Sequence, residues 1–194
     1  MTCIVAVKKN NTIVVGADRQ YVYSDSSDGI PNGPMKIWRA NGIIVGVAGS
    51  GRVTQLLKYN LDIPEQKNIE TDTDYIYRTI VDSVKKTLKA NGACRESEKV
   101  EFISDYTAAL FVFKNTIYTL QEDFQVFEHQ GPFWAIGAGR SYALGALDAL
   151  YDSVPSAEEL TRIALEVSAK YCVSVREPFD FLESTELHGA PRAC

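Results

Sequence analysis

The first nineteen residues read MTCIVAVKKNNTIVVGADR, and residues 4–7 (IVAV) and 13–17 (IVVGA) within them are apolar runs rich in β-branched side chains. The turn-like KKNN at 8–11 joins them, so the stretch is predicted as a β-hairpin that opens the protein with a strand. Everything downstream has to be arranged around that early sheet.

Working outward, YVYSDSSDGIPNGPM at 21–35 is rich in Ser, Asp, Gly and Pro and reads as a surface loop. KIWRA at 36–40 and IIVGVA at 43–48 then form a second strand pair, turning at Asn41-Gly42, a strong local hairpin signal. GSGR at 49–52 passes from strand to helix, and VTQLLKYNL follows as the helix. Ile76, Ile80, Val84 and Leu88, spaced by four on a segment starting near Thr71, predict an amphipathic helix ending at Asn91-Gly92. NGACRESEKVE at 91–101 is polar and reads as a connecting loop.

From Tyr106 the pattern changes to YTAALFVF, NTIYTLQ and FQVFEHQ, an antiparallel meander broken at Lys114-Asn115 and Glu122-Asp123. FWAIGAGR leads into SYALGALDALY. A further helix carries Leu160, Ile163, Ala164, Val167 and Tyr171 on one face, with Ser156 and Glu159 as a capping box. A last strand is expected near 179–187. Segregated runs of strands and helix pairs imply α+β, two antiparallel sheets covered by helix pairs. No repeat or composition break divides residues 1–194, which read as one domain.

The 194 residues are 45% hydrophobic and 23% charged, with a net charge of -5. A chain of this length buries roughly 70% of its unfolded surface and folds without metal or disulfide staples. The acidic balance and the absence of a Lys/Arg block argue against a nucleic-acid face. The longest apolar runs, such as ALFVF at 109–113, fall far short of the ~18 residues of a membrane span, and no signal pattern opens the chain. The cysteines Cys3, Cys94, Cys172 and Cys194 form no C-x-x-C pair, consistent with a reduced, cytoplasmic protein without a metal or cofactor site. His129 and His188 are the only histidines, so a three-histidine metal site is impossible and a histidine-based triad would depend on one of them.

Taken together, MTCIVAV at the start, GADR at 16–19, KIWR at 36–39, VAGSG at 47–51 and AIGAGRSYALGAL at 135–147 resemble the proteasome β-subunit family over nearly the whole chain. The resemblance is greatest to the bacterial branch of homomeric peptidases that includes HslV. It implies an N-terminal nucleophile hydrolase, a four-layer αββα sandwich, and a threonine peptidase acting on unfolded polypeptide inside a homo-oligomeric ring served by an ATP-driven unfoldase. Thr2 is then the nucleophile once Met1 is removed. Taken alone, a small residue after Met1 says only that Met1 is a substrate for aminopeptidase. A threonine hydroxyl is a weak nucleophile that needs an adjacent base. An α-amino group, with a pKa of about 7.7–8.0, supplies one near neutral pH.

By the same resemblance Asp18 matches a buried acid, Lys36 a buried lysine that lowers the pKa of the nucleophile, and Gly49 the backbone oxyanion donor. Read from the residues alone, Asp18 and Lys36 are equally a surface salt bridge, and Gly49 a plain turn. Val47 matches a position lining the first specificity pocket, beside an equally good reading as core packing. Tyr21, with Tyr23 and Trp38, reads as substrate-groove lining or as core or subunit contact. Arg19 reads either as a fixing residue of the same region or as a structural ion pair.

Two departures from the family pattern stand out. Ala138 occupies the place of a serine that contacts the nucleophile's amine, and Cys172 and Ser174 stand near the positions of an aspartate and serine pair. Ala138, together with Met1 ahead of Thr2, motivates a rival reading as a catalytically degenerate ring subunit. A second rival is an amidase of the same superfamily acting on a small molecule. Cys3 reads as a buried strand cysteine, and the acidic pairs Glu122-Asp123 and Glu158-Glu159 as turn and helix-start residues.

Overall fold

The computed structural model describes residues 2–22, 29–97, 100–103 and 107–184. Met1, Tyr23, His188, Cys194 and the far end of the expected last strand lie outside them. The opening hairpin is β1 (Cys3–Lys9) and β2 (Thr12–Asp18), joined through Asn10 and Asn11, both at positive φ. Asparagine tolerates that left-handed conformation, which matches the turn to the twist of the strands. Next come β3 (Tyr21–Val22), β4 (Gly29–Ile30), β5 (Ile37–Ala40) and β6 (Ile43–Ala48), the last two turning at Asn41 and Gly42 with φ of 45° and 76°.

Helix α1 spans Gly51–Asn60, with the Ser50 side chain accepting from the Val53 N–H. A second helical rod is made of α2 (Asp72–Asp74), a π-helical turn (Tyr75–Ile80) and α3 (Val81–Ala90). The π turn has a physical reason in the sequence. Residues spaced by four drift about 40° per step on a 3.6-residue helix, and one wide turn takes up that excess. Ile76, Ile80, Val84 and Leu88 all end fully buried.

The remaining elements are β7 (Cys94–Ser97), β8 (Val100–Ile103), β9 (Ala108–Phe113), β10 (Thr116–Leu120), β11 (Val126–His129), β12 (Phe133–Gly137), α4 (Arg140–Leu150), α5 (Ala157–Tyr171) and β13 (Phe179–Glu183). Two expectations are corrected. The polar stretch after Gly92 is not a plain loop, because β7 and β8 pair antiparallel, and β3 pairs β4 inside the Ser/Gly/Pro-rich segment. Both ladders are held by backbone hydrogen bonds and carry little apolar alternation, the signal on which strand prediction depends.

One antiparallel sheet has the order β12-β1-β2-β13 and the other β11-β10-β9-β6-β5. Alternation along the strands sorts the core into three slabs. Ile4, Ala6, Ile13, Val15, Ile44, Leu110 and Val112 meet between the sheets. Val45, Val47, Phe111 and Tyr118 face α1 and α3 through Val53, Leu57, Val84 and Leu88. Cys3, Val5, Val7 and Val14 face α4 and α5 through Leu147, Leu160 and Ala164. The result is helix, sheet, sheet, helix, the αββα sandwich expected. Among the described residues no helix is long and apolar enough to cross a membrane.

Candidate active site

Thr2 immediately precedes β1 and is 3% exposed. Register explains its neighbours. Cys3 pairs with Gly137 of β12, and Ile4 with Ala17 of β2, so the strand start lies between the end of β2 and the turn after β12. The Gly139 N–H donates to the Thr2 carbonyl at 3.3 Å. Gly137 has φ 92°, and a Cβ there would stand 2.2 Å from the Thr2 carbonyl oxygen. Only glycine permits that approach.

Asp18, at the end of β2 and 0% exposed, accepts from the Cys3 N–H, the Gln20 N–H and Lys36 Nζ, each at 2.9 Å. Lys36 sits one residue before β5, where its carbonyl accepts from the Val47 N–H at 3.1 Å. Its Nζ also donates to the Gln20 carbonyl at 2.5 Å. The pair is therefore buried and ties the backbone next to Thr2 to two other strands, which replaces the reading as a surface bridge. Burial pulls both groups toward neutrality. It raises the Asp18 carboxyl, against the pull of the Lys36 charge and the Cys3 N–H, and lowers the Lys36 ammonium, against the attraction of Asp18.

Gly49 follows β6 with φ 122°, a conformation that favours glycine, and Ser50 then caps α1. The Ser50 N–H donates to Thr107 Oγ1 at 3.1 Å, which joins this turn to the strand entering β9. Thr2, Gly49, Ser50, Thr107, Gly137, Ala138 and Arg140 line a cleft of about 1080 Å³, together with Gln121, Glu122 and Asp123. Thr2 and Gly49 thus line one open cleft.

Other candidates are distributed differently. The Val47 side chain is 1% exposed and packs in the core beneath α1, away from the cleft lining. Arg19 forms a two-pronged ion pair with Asp180 of β13, with Nε 2.8 and 2.9 Å from the carboxylate oxygens. Tyr21 lines a second, smaller pocket next to the cleft. Trp38 packs against the helix-side core, and His129 stacks on Trp134 with centroids 4.1 Å apart.

Cys3 donates to Ser168 Oγ at 3.5 Å, and burial pushes its thiol up to about 12, so it is an inert core group. Ser168 itself went unnoticed in the sequence. Its hydroxyl lies 3.1 Å from the Gly139 carbonyl and 2.8 Å from that of Ala164, anchoring the turn over Thr2 to α5. A small polar residue on the apolar face of that helix was the available sign. Ser174 is also buried, 2% exposed.

Comparison with known proteins gives consistent results. The profile of the proteasome subunit family matches residues 1–172. The ATP-dependent protease subunit HslV of Caulobacter vibrioides is 30% identical over 179 residues, 89% of this chain and 87% of that protein. Among solved structures, BPH of Thiobacillus denitrificans in complex with epoxomicin superposes with a TM-score of 0.76 at 21% identity, covering 93% of this chain and 97% of that one. Eukaryotic HslV from Trypanosoma brucei gives a TM-score of 0.68 at 19% identity, covering 93% and 98%. At these identities the solved structures speak for the fold.

Proposed function

Because the chain belongs to the proteasome subunit family, we propose that it is a threonine peptidase, one proteasome-like domain whose nucleophile is Thr2, freed by removal of Met1. The observation that carries this reading is the cleft. Thr2 lines it beside Gly49, and the backbone that follows Thr2 is pinned by the buried Asp18–Lys36 pair.

The reaction runs in two stages. Thr2 Oγ attacks the peptide carbonyl while its proton passes through a water to the Thr2 α-amine, and the Gly49 N–H holds the oxyanion. The C–N bond breaks, the amine returns the proton to the leaving nitrogen, and an ester remains on Oγ. Water, deprotonated by the same amine, then hydrolyses that ester and restores the hydroxyl. Lys36 supplies positive charge that lowers the pKa of the nucleophile, and Asp18 holds Lys36 in place.

An open cleft of about 1080 Å³ suits an extended polypeptide better than a small amide. The substrate is unfolded polypeptide, the working form a homo-oligomeric ring in the cytoplasm, and the partner an ATP-driven unfoldase. The name of the Caulobacter relative, an ATP-dependent protease subunit, supports that partner. Ala138, which lines the cleft without a hydroxyl, favours one other reading, a catalytically silent ring subunit.

Intact mass on native material, before and after exposure to epoxomicin, separates the two. A chain lacking Met1 that gains one inhibitor mass, and a Thr2→Ala variant that gains none and loses peptide cleavage by about 10³-fold or more, are the expected results. An exposed Thr2 that takes up no inhibitor and cleaves no peptide overturns the peptidase.

A further inference from the structure

Beside the cleft lies a pocket of about 420 Å³ walled by Tyr21, Val22, Ile30, Pro34, Arg52 and Gln55. It meets the cleft at Val22 and Gly51, which line both. A polypeptide lying across Thr2 therefore has room to lower one side chain into it. The walls contributed by Val22, Ile30, Pro34 and the Tyr21 ring favour an apolar one.

The Tyr21 ring is gripped at both edges. A Cβ on Gly33 would stand 2.3 Å from its Cδ2, and one on Gly51 would stand 3.2 Å from its Cε1. The ring is turned to Lys36, whose Nζ lies 5.0 Å from the centroid. Lys36 is 1% exposed and is faced by Asp18 from β2, Cys3 from β1 and Tyr21 from β3; Tyr21 is faced in turn by Asp18 and by Tyr59 of α1. The Tyr21 hydroxyl is buried without a hydrogen-bond partner among the described residues. What the fold holds in place is the ring.

We propose that Tyr21 is a positioning residue whose ring is one wall shared by the side-chain pocket and the Lys36 ammonium, so that a bulky apolar substrate side chain in the pocket presses that wall against Lys36. The identity of the occupant rests on the peptidase reading; the wall does not. A π face attracts an ammonium, but water solvates it better, and burial already holds Lys36 below its ordinary value. Removing the ring admits water and moves Lys36 back up.

The test reads Lys36 directly. In full-length protein carrying ¹³Cε-lysine, with the Lys36 signal assigned through Lys36→Met, the titration is compared among wild type, Tyr21→Phe and Tyr21→Leu. Tyr21→Phe is expected to titrate with wild type, because the phenol has no hydrogen-bond partner among the described residues. Tyr21→Leu is expected to titrate about one pH unit higher, a tenfold change in the proton equilibrium. A Leu variant that titrates with wild type, or a Phe variant displaced as far as Leu, overturns the proposal. If Tyr21→Leu does not fold, Tyr21→Met, an unbranched filler of similar reach, takes its place.

Peptides carrying leucine or alanine for the pocket add a second reading. In wild type the leucine preference is expected in kcat, and in Tyr21→Leu it is expected to move into KM; a wild-type preference confined to KM counts against the shared wall. Turnover absent from every form refutes the peptidase alone, and the titration still decides the role of Tyr21.

Discussion

Lys36 and Asp18 illustrate how much a single buried pair commits a fold. Neither side chain has water to fall back on, and Asp18 already accepts two backbone N–H groups. Removing one partner leaves an uncompensated buried charge, at a cost of about 3–5 kcal/mol, whereas removing both charges costs less. Lys36→Met is therefore expected to lower stability more than the double variant Asp18→Asn/Lys36→Met, read as urea midpoints at one protein concentration. A double variant no more stable than the single one would contradict this. The neighbouring Cys3 gives the pH counterpart. Its thiol is held up from 9.0 to about 12 by burial, so the folded chain keeps a proton that the unfolded chain has released. The Cys3 contribution is complete below pH 9 and is lost as pH rises toward 12, by about 1.4 kcal/mol per unit. Cys3→Ala should flatten that alkaline slope in stability curves, and native Cys3 should resist iodoacetamide at pH 8. At this scale Thr2, Asp18, Lys36 and Gly49 could be named as candidates because family motifs carried them, and the structure brings Lys36 onto Asp18 and sets Thr2 and Gly49 on one cleft. Gln20 and Ser168 could not be named, since one acts through its backbone carbonyl and the other through a contact 165 residues away.

At the scale of elements, the site is an assembly of ends: the start of β1, the end of β2, the turns after β6 and β12. Gly137 is the tightest of these joints. Gly137→Ala combines a positive φ with a clash against the Thr2 carbonyl, so it should cost about 1–3 kcal/mol and displace Thr2. Loss of inhibitor labelling at Thr2 in a protein that still unfolds cooperatively is the expected outcome, and full labelling would show that the joint tolerates a side chain. Hairpins were readable here because Asn-Asn and Asn41-Gly42 are local instructions. The β7–β8 ladder was not, since CRES has no apolar alternation and VEFI alternates over only three residues. The π turn between Tyr75 and Ile80 was not read although its cause is in the sequence: spacing by four implies one wide turn somewhere along the rod, but packing against the sheet decides which turn widens.

For the whole molecule, two sheets stacked between helix pairs leave several large apolar side chains outside the three core slabs. Tyr59 on α1 is 73% exposed, and Tyr171 at the end of α5 is 59% exposed, stacked on Tyr142 of α4. A homo-oligomeric ring of the proposed kind would give these exposed rings a surface to pack against. Light scattering is expected to give a mass several times 21.5 kDa, and Tyr59→Glu or Tyr171→Glu to reduce it. A monomeric wild type would remove the ring from the functional reading.

The sequence by itself determined where most of the strands and helices lie, that they segregate into an α+β layering, and that family motifs carry the candidates Thr2, Asp18, Lys36 and Gly49. Those features depend on local periodicity, turn chemistry and motif identity, all of which survive in one dimension. Only the tertiary structure decided that Asp18 and Lys36 meet in a buried site pinned to the backbone after Thr2, that Val47 packs away from the cleft, and that the Tyr21 ring, which lines the smaller pocket, lies 5.0 Å from Lys36 Nζ. These are relations between strand ends far apart in the chain. Burial, which sets the strength of each charge, exists only once the layers have closed.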